Sequence, residues 1–283
     1  MENKFYYMLA PLEDMTDSCF RTICYKYGAD MTCTELVRFE SLAKNNNTSW
    51  ERTRLYDDTP TLIQIMGSRE QFLKKFLSKF VPEKGFAGFN LNLGCPAPNV
   101  INSGAGCAMV KRISKTKKIV NIIKERGYNV SIKMRLGLNQ YEKERKAYLN
   151  LIQAVNADFF IVHARHGKQT YNEKADWGVF PECVKTGKKI IANGDIITKD
   201  DVKKIKSFGC KGVMIGKAAI TNPRIFAELK GLAAPPLDKI KAEYEKLIKL
   251  RNAPFKYSKN IFKHLGKDHT KPGHFFSEVT SHT

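Results

Sequence analysis

The chain has 283 residues, with 48 Lys and Arg against 28 Asp and Glu for a formal net charge of +20, and is 42% hydrophobic. Blocks of Ile, Leu, Val and Phe recur along nearly its whole length, which excludes a disordered polymer, and no apolar run approaches the ~18 residues of a membrane span. The start, Met1-Glu2-Asn3-Lys4-Phe5, lacks the features of a signal peptide, and seven scattered cysteines without a C-x-x-C pair give no zinc-site spacing, so the expectation is a cytoplasmic, metal-free protein.

Short apolar strands alternate with amphipathic helical stretches. The first strand is Tyr7 to Pro11, followed by a helix from Ser18 to Tyr25 and a second strand at Met31-Thr32-Cys33. Thr61 to Ile65 forms the third strand, before a helix near Arg69 to Phe80. Gly88 to Leu91 follows, then a helix near Lys115 to Arg126, Val130 to Met134, and a helix from about Lys143 to Val155. The last third gives Phe159 to His163, Lys189 to Asn193, a helix at Asp200 to Phe208, Gly212 to Ile215, and a helix at Pro223 to Leu229. Eight such strands in about 230 residues point to an α/β fold closed as a (β/α)₈ TIM barrel, and no G-x-G-x-x-G follows the first strand to favour an open dinucleotide-binding sheet. The rhythm stops at Ala233-Ala234-Pro235-Pro236. The expected division is a barrel over residues 1–231 and a small α-helical appendage over 232–283, with helices near Leu237 to Leu250 and Tyr257 to Leu265 and a frayed end from Lys271 to Thr283.

Barrel chemistry sits at the C-terminal ends of the strands, so each strand can be asked which polar residue it delivers there. Pro11-Leu12-Glu13-Asp14 follows the first, Gln64 lies in the third, Asn92 and Cys95 follow the fourth, Lys133 and Arg135 end the fifth, and His163 and Arg165 end the sixth. Asn193-Gly194-Asp195 and Ile215-Gly216-Lys217 form glycine turns after the seventh and eighth, where barrels commonly cradle a phosphate. Asn92-Leu93-Gly94-Cys95-Pro96 is a tight loop holding one thiol above the barrel, either as a nucleophile or as a proton donor. The other six cysteines read as buried core residues.

Six segments together resemble the dihydrouridine synthases: Ala10 to Asp17, Asn92 to Val100 with Gly106 beyond it, Lys133-Met134-Arg135, Val162 to Arg165, Ala192 to Ile196, and Met214 to Lys217. They occur in the family's order and span Met8 to about Leu229. The resemblance implies an FMN-dependent barrel that reduces the 5,6 double bond of specific uridines in tRNA, with NADPH as reductant. It implies that Pro11, Leu12 and Glu13 line the flavin ring, that Gln64 and Lys133 meet its polar edge, and that His163, Asn193, Gly194, Asp195, Gly216 and Lys217 surround its phosphate. Cys95 would protonate C5 of uracil while hydride reaches C6, with Asn92 and Arg165 orienting the base and Arg135 beside the flavin or the RNA. The chain departs from the family at Lys217, where Arg is frequent, at His166-Gly167, where Thr-Arg is frequent, at Arg224, where Trp is common, and in its shorter appendage.

A charge of +20 favours a polyanionic partner such as RNA, although Lys far outnumbering Arg beside many Ile and Asn is also the mark of an A/T-biased genome. Basic residues cluster at Lys111, Arg112, Lys115, Lys117, Lys118 and Lys124, and again at Lys256, Lys259, Lys263 and Lys267. The expected partner is tRNA, with ribosomal RNA as a variant, and the expected state is a monomer. Two competing readings are an FMN barrel acting on a free pyrimidine or other small enone, and a non-catalytic RNA-binding protein.

Overall fold

The computed structural model describes residues 4–267. Nine strand segments occupy the eight positions of a barrel: β1 (Tyr6–Leu9), β2 (Thr32–Cys33), β3 (Val37–Arg38), β4 (Thr61–Met66), β5 (Phe86–Leu93), β6 (Val130–Met134), β7 (Phe160–His163), β8 (Ile190–Asn193) and β9 (Gly212–Ile215). All pairings are parallel, in the order β1-β9-β8-β7-β6-β5-β4-β2, with β3 a second short segment on β4. A single bridge between Met8 and Met31, with the Leu9 N–H donating to the Met31 carbonyl at 2.9 Å, joins the two ends into a ring.

Strand alternation explains where the core lies. One parity of each strand faces the lumen and the other faces the helices. Met8, Cys33, Leu62, Ile161, Ile191 and Met214 pack together as an apolar plug inside the ring. Their neighbours Leu9, Ile63, Val162, Ala192, Val213 and Ile215 belong to the much larger core between sheet and helices. Two residues farther along each strand from the plug, the same lumenal parity delivers Gln64, His163, Asn193 and Gly216, so the plug is the floor beneath a polar mouth.

Most helices fall where the apolar spacing places them: Ser18–Lys26, Glu70–Leu77, Ile113–Lys124, Lys199–Ser207, Ile225–Lys230, Leu237–Arg251 and Phe255–His264. Lys199–Ser207 starts with a capping box in which Thr198 and Asp201 satisfy each other's backbone N–H, worth about 1 kcal/mol. The structure differs from the periodicity in several places, short helices at Pro98–Asn102, Phe180–Lys185 and Lys217–Thr221 among them. The expected helix from Lys143 to Val155 is two helices, Gln140–Glu144 and Ala147–Ala154, because Lys146 adopts φ +53 between them. That break lets Glu142 turn inward, where it accepts from the Leu138 N–H at 2.8 Å and pairs with Lys111 at 3.1 Å. Two further short helices, Phe39–Ala43 and Asn47–Glu51, fill the stretch between the second and third barrel positions, where no element was expected.

The two C-terminal helices lie against the barrel, and Ile240, Tyr244 and Ile261 are part of the same continuous core as the sheet. The basic clusters are partly consumed within the fold, since Lys111, Lys124 and Lys256 pair with Glu142, Asp158 and Asp14. No helix among the described residues is long and apolar enough to cross a membrane. The expected frayed end from Lys271 to Thr283 lies outside the described residues.

Candidate active site

A chain of amides crosses the lumen above the apolar floor. The Gln64 side-chain NH₂ donates to Asn90 at 2.7 Å, Asn90 donates to the Ser131 hydroxyl at 2.8 Å, and Asn92 donates to the Gln64 carbonyl oxygen at 2.9 Å. The other end of Asn92 accepts from the backbone N–H groups of Gly94 and Cys95, both at 3.0 Å. Asn92 therefore fixes the cysteine loop to the barrel. The loop is closed from the far side by the Cys107 N–H, which donates to the Cys95 carbonyl at 3.0 Å. Gly106 lies between them at φ +56, where any Cβ would come within 2.5 Å of the Cys95 carbonyl oxygen. The result is one half-buried thiol at the mouth, while Cys19, Cys24, Cys33, Cys107, Cys183 and Cys210 are all buried.

Four cations surround the same mouth. Burial, with Arg135 next in importance, pulls the Lys133 ammonium down to about 8, and no carboxylate pairs with it among the described residues. Burial pulls Lys217 down to about 8 as well, helped by Arg165. His163 is driven well below the usual imidazole range, first by burial and then by Lys133, Arg135, Arg165 and Lys217. A neutral imidazole is the consequence, and because a guanidinium has only donors, the His163 Nε2 accepts from Arg165 Nη1 at 3.2 Å.

The two arginines hold loops. Arg135 Nη1 reaches the carbonyls of His166 at 2.9 Å, Gly167 at 3.4 Å and Gln169 at 3.2 Å. Arg165 donates to the Glu173 carbonyl through Nε at 2.8 Å and Nη2 at 2.6 Å, and pairs with Asp195. Asp195 also accepts from the Ala175 N–H at 2.8 Å, and Asn193 donates to the Met214 carbonyl at 2.8 Å, so the last two strand ends are tied together. Gly194 has φ +112, and a Cβ there would meet Ala175 and His163 at 3.0 Å. Gly216 packs beside Ala10 and Leu12, at distances from an added Cβ of 3.4 and 3.7 Å that are ordinary contacts.

Glu13, in the loop after β1 with Pro11 and Leu12, pairs with Arg52 and is raised above the usual carboxylate range by burial. Asp14 and Glu35 lie close to it. Beside this trio lies a cavity of about 530 Å³, lined among others by Asp17, Glu35, Arg52, Arg251 and Tyr257, between the barrel and the C-terminal helices and not at the amide-lined mouth.

Every expected residue thus lies at the C-terminal rim or in the lumen. Two contributors escaped the sequence reading. Asn90 precedes Asn92 by two residues on the same strand face, so alternation alone was enough to find it. Tyr171 had no such signal: its ring stacks at 6.1 Å on His163, with Lys217 Nζ 3.7 Å above it and the guanidinium carbons of Arg135 and Arg165 at 5.8 and 5.7 Å.

The family model described as dihydrouridine synthase matches residues 8–269, which takes in all but the first two residues of the barrel strands and both C-terminal helices. The chain belongs to the dihydrouridine synthase family. Within the family it is 33% identical over 243 residues to a probable tRNA-dihydrouridine synthase of Helicobacter pylori, covering 81% of this chain and 71% of that one. It is 31% identical over 229 residues to a probable tRNA-dihydrouridine synthase of Aquifex aeolicus, covering 79% and 72%. A human relative named as a tRNA-dihydrouridine(47) synthase [NAD(P)(+)]-like is 29% identical over 234 residues, covering 78% of this chain and 35% of its own length. The chain is an oxidoreductase by this membership.

Proposed function

We propose that the chain is a tRNA-dihydrouridine synthase that reduces the C5–C6 double bond of specific uridines, with FMN as its cofactor and NADPH as the reductant. The observation that carries this reading is the Cys95 loop, anchored by Asn92 to the amide chain of Gln64 and placed within electrostatic reach of the unpaired Lys133 ammonium.

The donor set suits FMN. Four cations with one carboxylate opposite them make a site that gains from a phosphate and from an anionic ring. Gln64, Lys133, His163, Asn193, Gly194, Asp195, Gly216 and Lys217 would hold the group, with Pro11, Leu12 and Glu13 along its ring. When bound, FMN supplies the hydride for C6. Cys95 holds a proton on Sγ and delivers it to C5 from the opposite face, a general-acid role that a neutral thiol can fill. The thiolate left behind stays within reach of the Lys133 charge and regains its proton from water before the next turnover. Asn92 keeps the thiol in place, Arg165 and Arg135 fix the loops around the base, and the uracil leaves its stack to enter the mouth.

Residues 1–231 act as the catalytic unit and 232–283 as the part that docks RNA, in a cytoplasmic monomer without a metal. Support for RNA over a free pyrimidine comes from the charge of +20 and from the relatives' names. The test is a position-by-position map of dihydrouridine in tRNA and ribosomal RNA from cells lacking the gene, complemented with wild type or with Cys95→Ala. Loss at defined tRNA sites, restored by the wild type alone, is the expected result; an unchanged map overturns the reading.

A further inference from the structure

The helix Phe255–His264 places two side chains on the loop after β1 and a third on Glu35, which is bonded to that loop. Lys256 Nζ pairs with the Asp14 carboxylate at 2.5 Å, and Asn260 Nδ2 donates to the Asp14 carbonyl at 3.1 Å. Between them in sequence, the Tyr257 hydroxyl donates to Glu35 Oε2 at 2.6 Å, while the other oxygen of Glu35 accepts from the Asp14 N–H at 2.6 Å. Positions 256, 257 and 260 share one face of a helix, so a single element grips Asp14 at its carboxylate, its carbonyl and, through Glu35, its N–H. Glu35 is 2% exposed, and the two hydrogen-bond donors to its carboxylate come from two different parts of the chain. Asp14 needs such a grip, because it adopts φ +53, a conformation that costs a non-glycine residue about 1 kcal/mol or more when nothing holds it.

The neighbour of Asp14 on the barrel side is Glu13, held through Arg52, whose other guanidinium nitrogen lies 3.6 Å from Asp14. Leu12, one residue earlier, is tied to Thr16 by reciprocal bonds of 3.0 Å between its backbone and the Thr16 hydroxyl. The loop is thus closed at Leu12 and Thr16, and its apex is set from the C-terminal helix.

We propose that Tyr257 is a positioning residue: with Lys256 and Asn260 it clamps Asp14, by way of Glu35, and so fixes the Leu12-Glu13-Asp14 segment at the barrel mouth. The C-terminal helix then has a second task beside any docking of RNA, which is to set the shape of the mouth. The consequence for FMN rests on the flavin reading above; the clamp itself does not. Lys256, Tyr257, Glu35 and Arg52 also line the cavity of about 530 Å³.

The experiment uses full-length protein and three forms: wild type, Tyr257→Phe, and Tyr244→Phe as a control on the other C-terminal helix, whose hydroxyl faces Asp17 at 3.4 Å and not Asp14. Amide hydrogen exchange of residues 12–15 is read first, on the flavin-free protein, together with thermal melting. Tyr257→Phe is expected to speed exchange in this segment at least tenfold beyond any change in segments of similar protection elsewhere, while Tyr244→Phe leaves it as in wild type. Adding Glu35→Gln to Tyr257→Phe removes the unpaired carboxylate but keeps the acceptor for the Asp14 N–H, and is expected to recover part of the protection. FMN titration is read second, with a severalfold weaker affinity expected for Tyr257→Phe and none for Tyr244→Phe. Unchanged exchange at 12–15 in Tyr257→Phe, or an equal rise in all segments, overturns the clamp. A wild type that binds no FMN overturns the flavin reading, while selective exchange at 12–15 in the same samples still supports the clamp.

Discussion

Arg165 and Asp195 bind the ends of β7 and β8 to each other: one guanidinium nitrogen, Nη2, lies 2.8 and 2.6 Å from the two carboxylate oxygens. The Arg165 side chain is almost wholly buried and Asp195 is its carboxylate partner. The same guanidinium supports His163 and the Glu173 carbonyl, so the pair organises both the neutral imidazole and the loop that carries Tyr171.

Asp195→Asn keeps the shape and removes the charge. A fully buried pair broken on one side costs about 3–5 kcal/mol and an exposed one about 0–1. With Arg165 buried and Asp195 partly open to solvent, the expected loss is about 1–3 kcal/mol, measured as a lower urea midpoint with an unchanged slope. A midpoint equal to wild type counts against the pair as an organiser of the mouth.

Cys95→Ala removes the thiol without touching the Asn92 bonds, which go to backbone N–H groups. Flavin content and melting should match wild type, while dihydrouridine formation on a tRNA transcript falls about 10²- to 10⁴-fold. Turnover within a factor of three of wild type would take Cys95 out of the acid role.

FMN affinity should depend on pH through Lys133. Its ammonium, held at about 8, loses charge as the pH rises past that value, so an anionic ligand is bound less well above pH 8 and with little change below it. The decline is at most about tenfold per pH unit for one lost proton. Lys133→Met should bind weakly at every pH and show a shallower bend, the remainder belonging to Lys217, which burial also holds at about 8; a wild-type profile flat from pH 7 to 10 would separate both lysines from the flavin.

Asp17 caps the helix Ser18–Lys26 through Oδ1, which accepts from the Phe20 N–H at 2.9 Å, while Oδ2 is buried without a partner. Burial raises its carboxyl from 3.8 to about 6. The folded state therefore holds a proton that the unfolded chain releases, and this group's contribution is intact below pH 3.8 and declines as the pH rises to about 6. The linkage amounts to about 3 kcal/mol. Asp17→Asn keeps a competent cap and carries no titration, so its stability relative to wild type should rise by up to that amount between pH 4 and pH 7. Denaturation midpoints of the two proteins that shift in parallel with pH would contradict this.

Much of this architecture can be read from local pattern. The strands between Thr61 and Ile215 announce themselves because both faces of a barrel strand are buried, which leaves runs such as Thr61-Leu62-Ile63-Gln64-Ile65 with a single polar residue pointing into the lumen. That polar residue is itself the site signal, and Gln64, Lys133, His163 and Asn193 were visible for that reason. The segment between Cys33 and Thr61 was opaque because its two five-residue helices are too short to show a period, and β3 is only two residues long. The break at Lys146 was equally hidden, since a positive φ at a lysine answers to no local preference of that residue.

What the sequence by itself determined is the order of strands and helices, the parity that delivers polar groups to one end of a ring, and the six buried cysteines against one at the mouth. These follow from properties each short stretch carries alone: alternation, apolar spacing, and the fixed turns of Gly and Pro. Only the tertiary structure decided that Asn92 serves the Cys95 loop, that Tyr171 sits among three cations, and that Lys256, Tyr257 and Asn260 reach back more than 200 residues to Asp14 and Glu35. Such partnerships join groups whose separation along the chain carries no periodic trace, and they come into being when the ring closes and the last helix packs across its first loop.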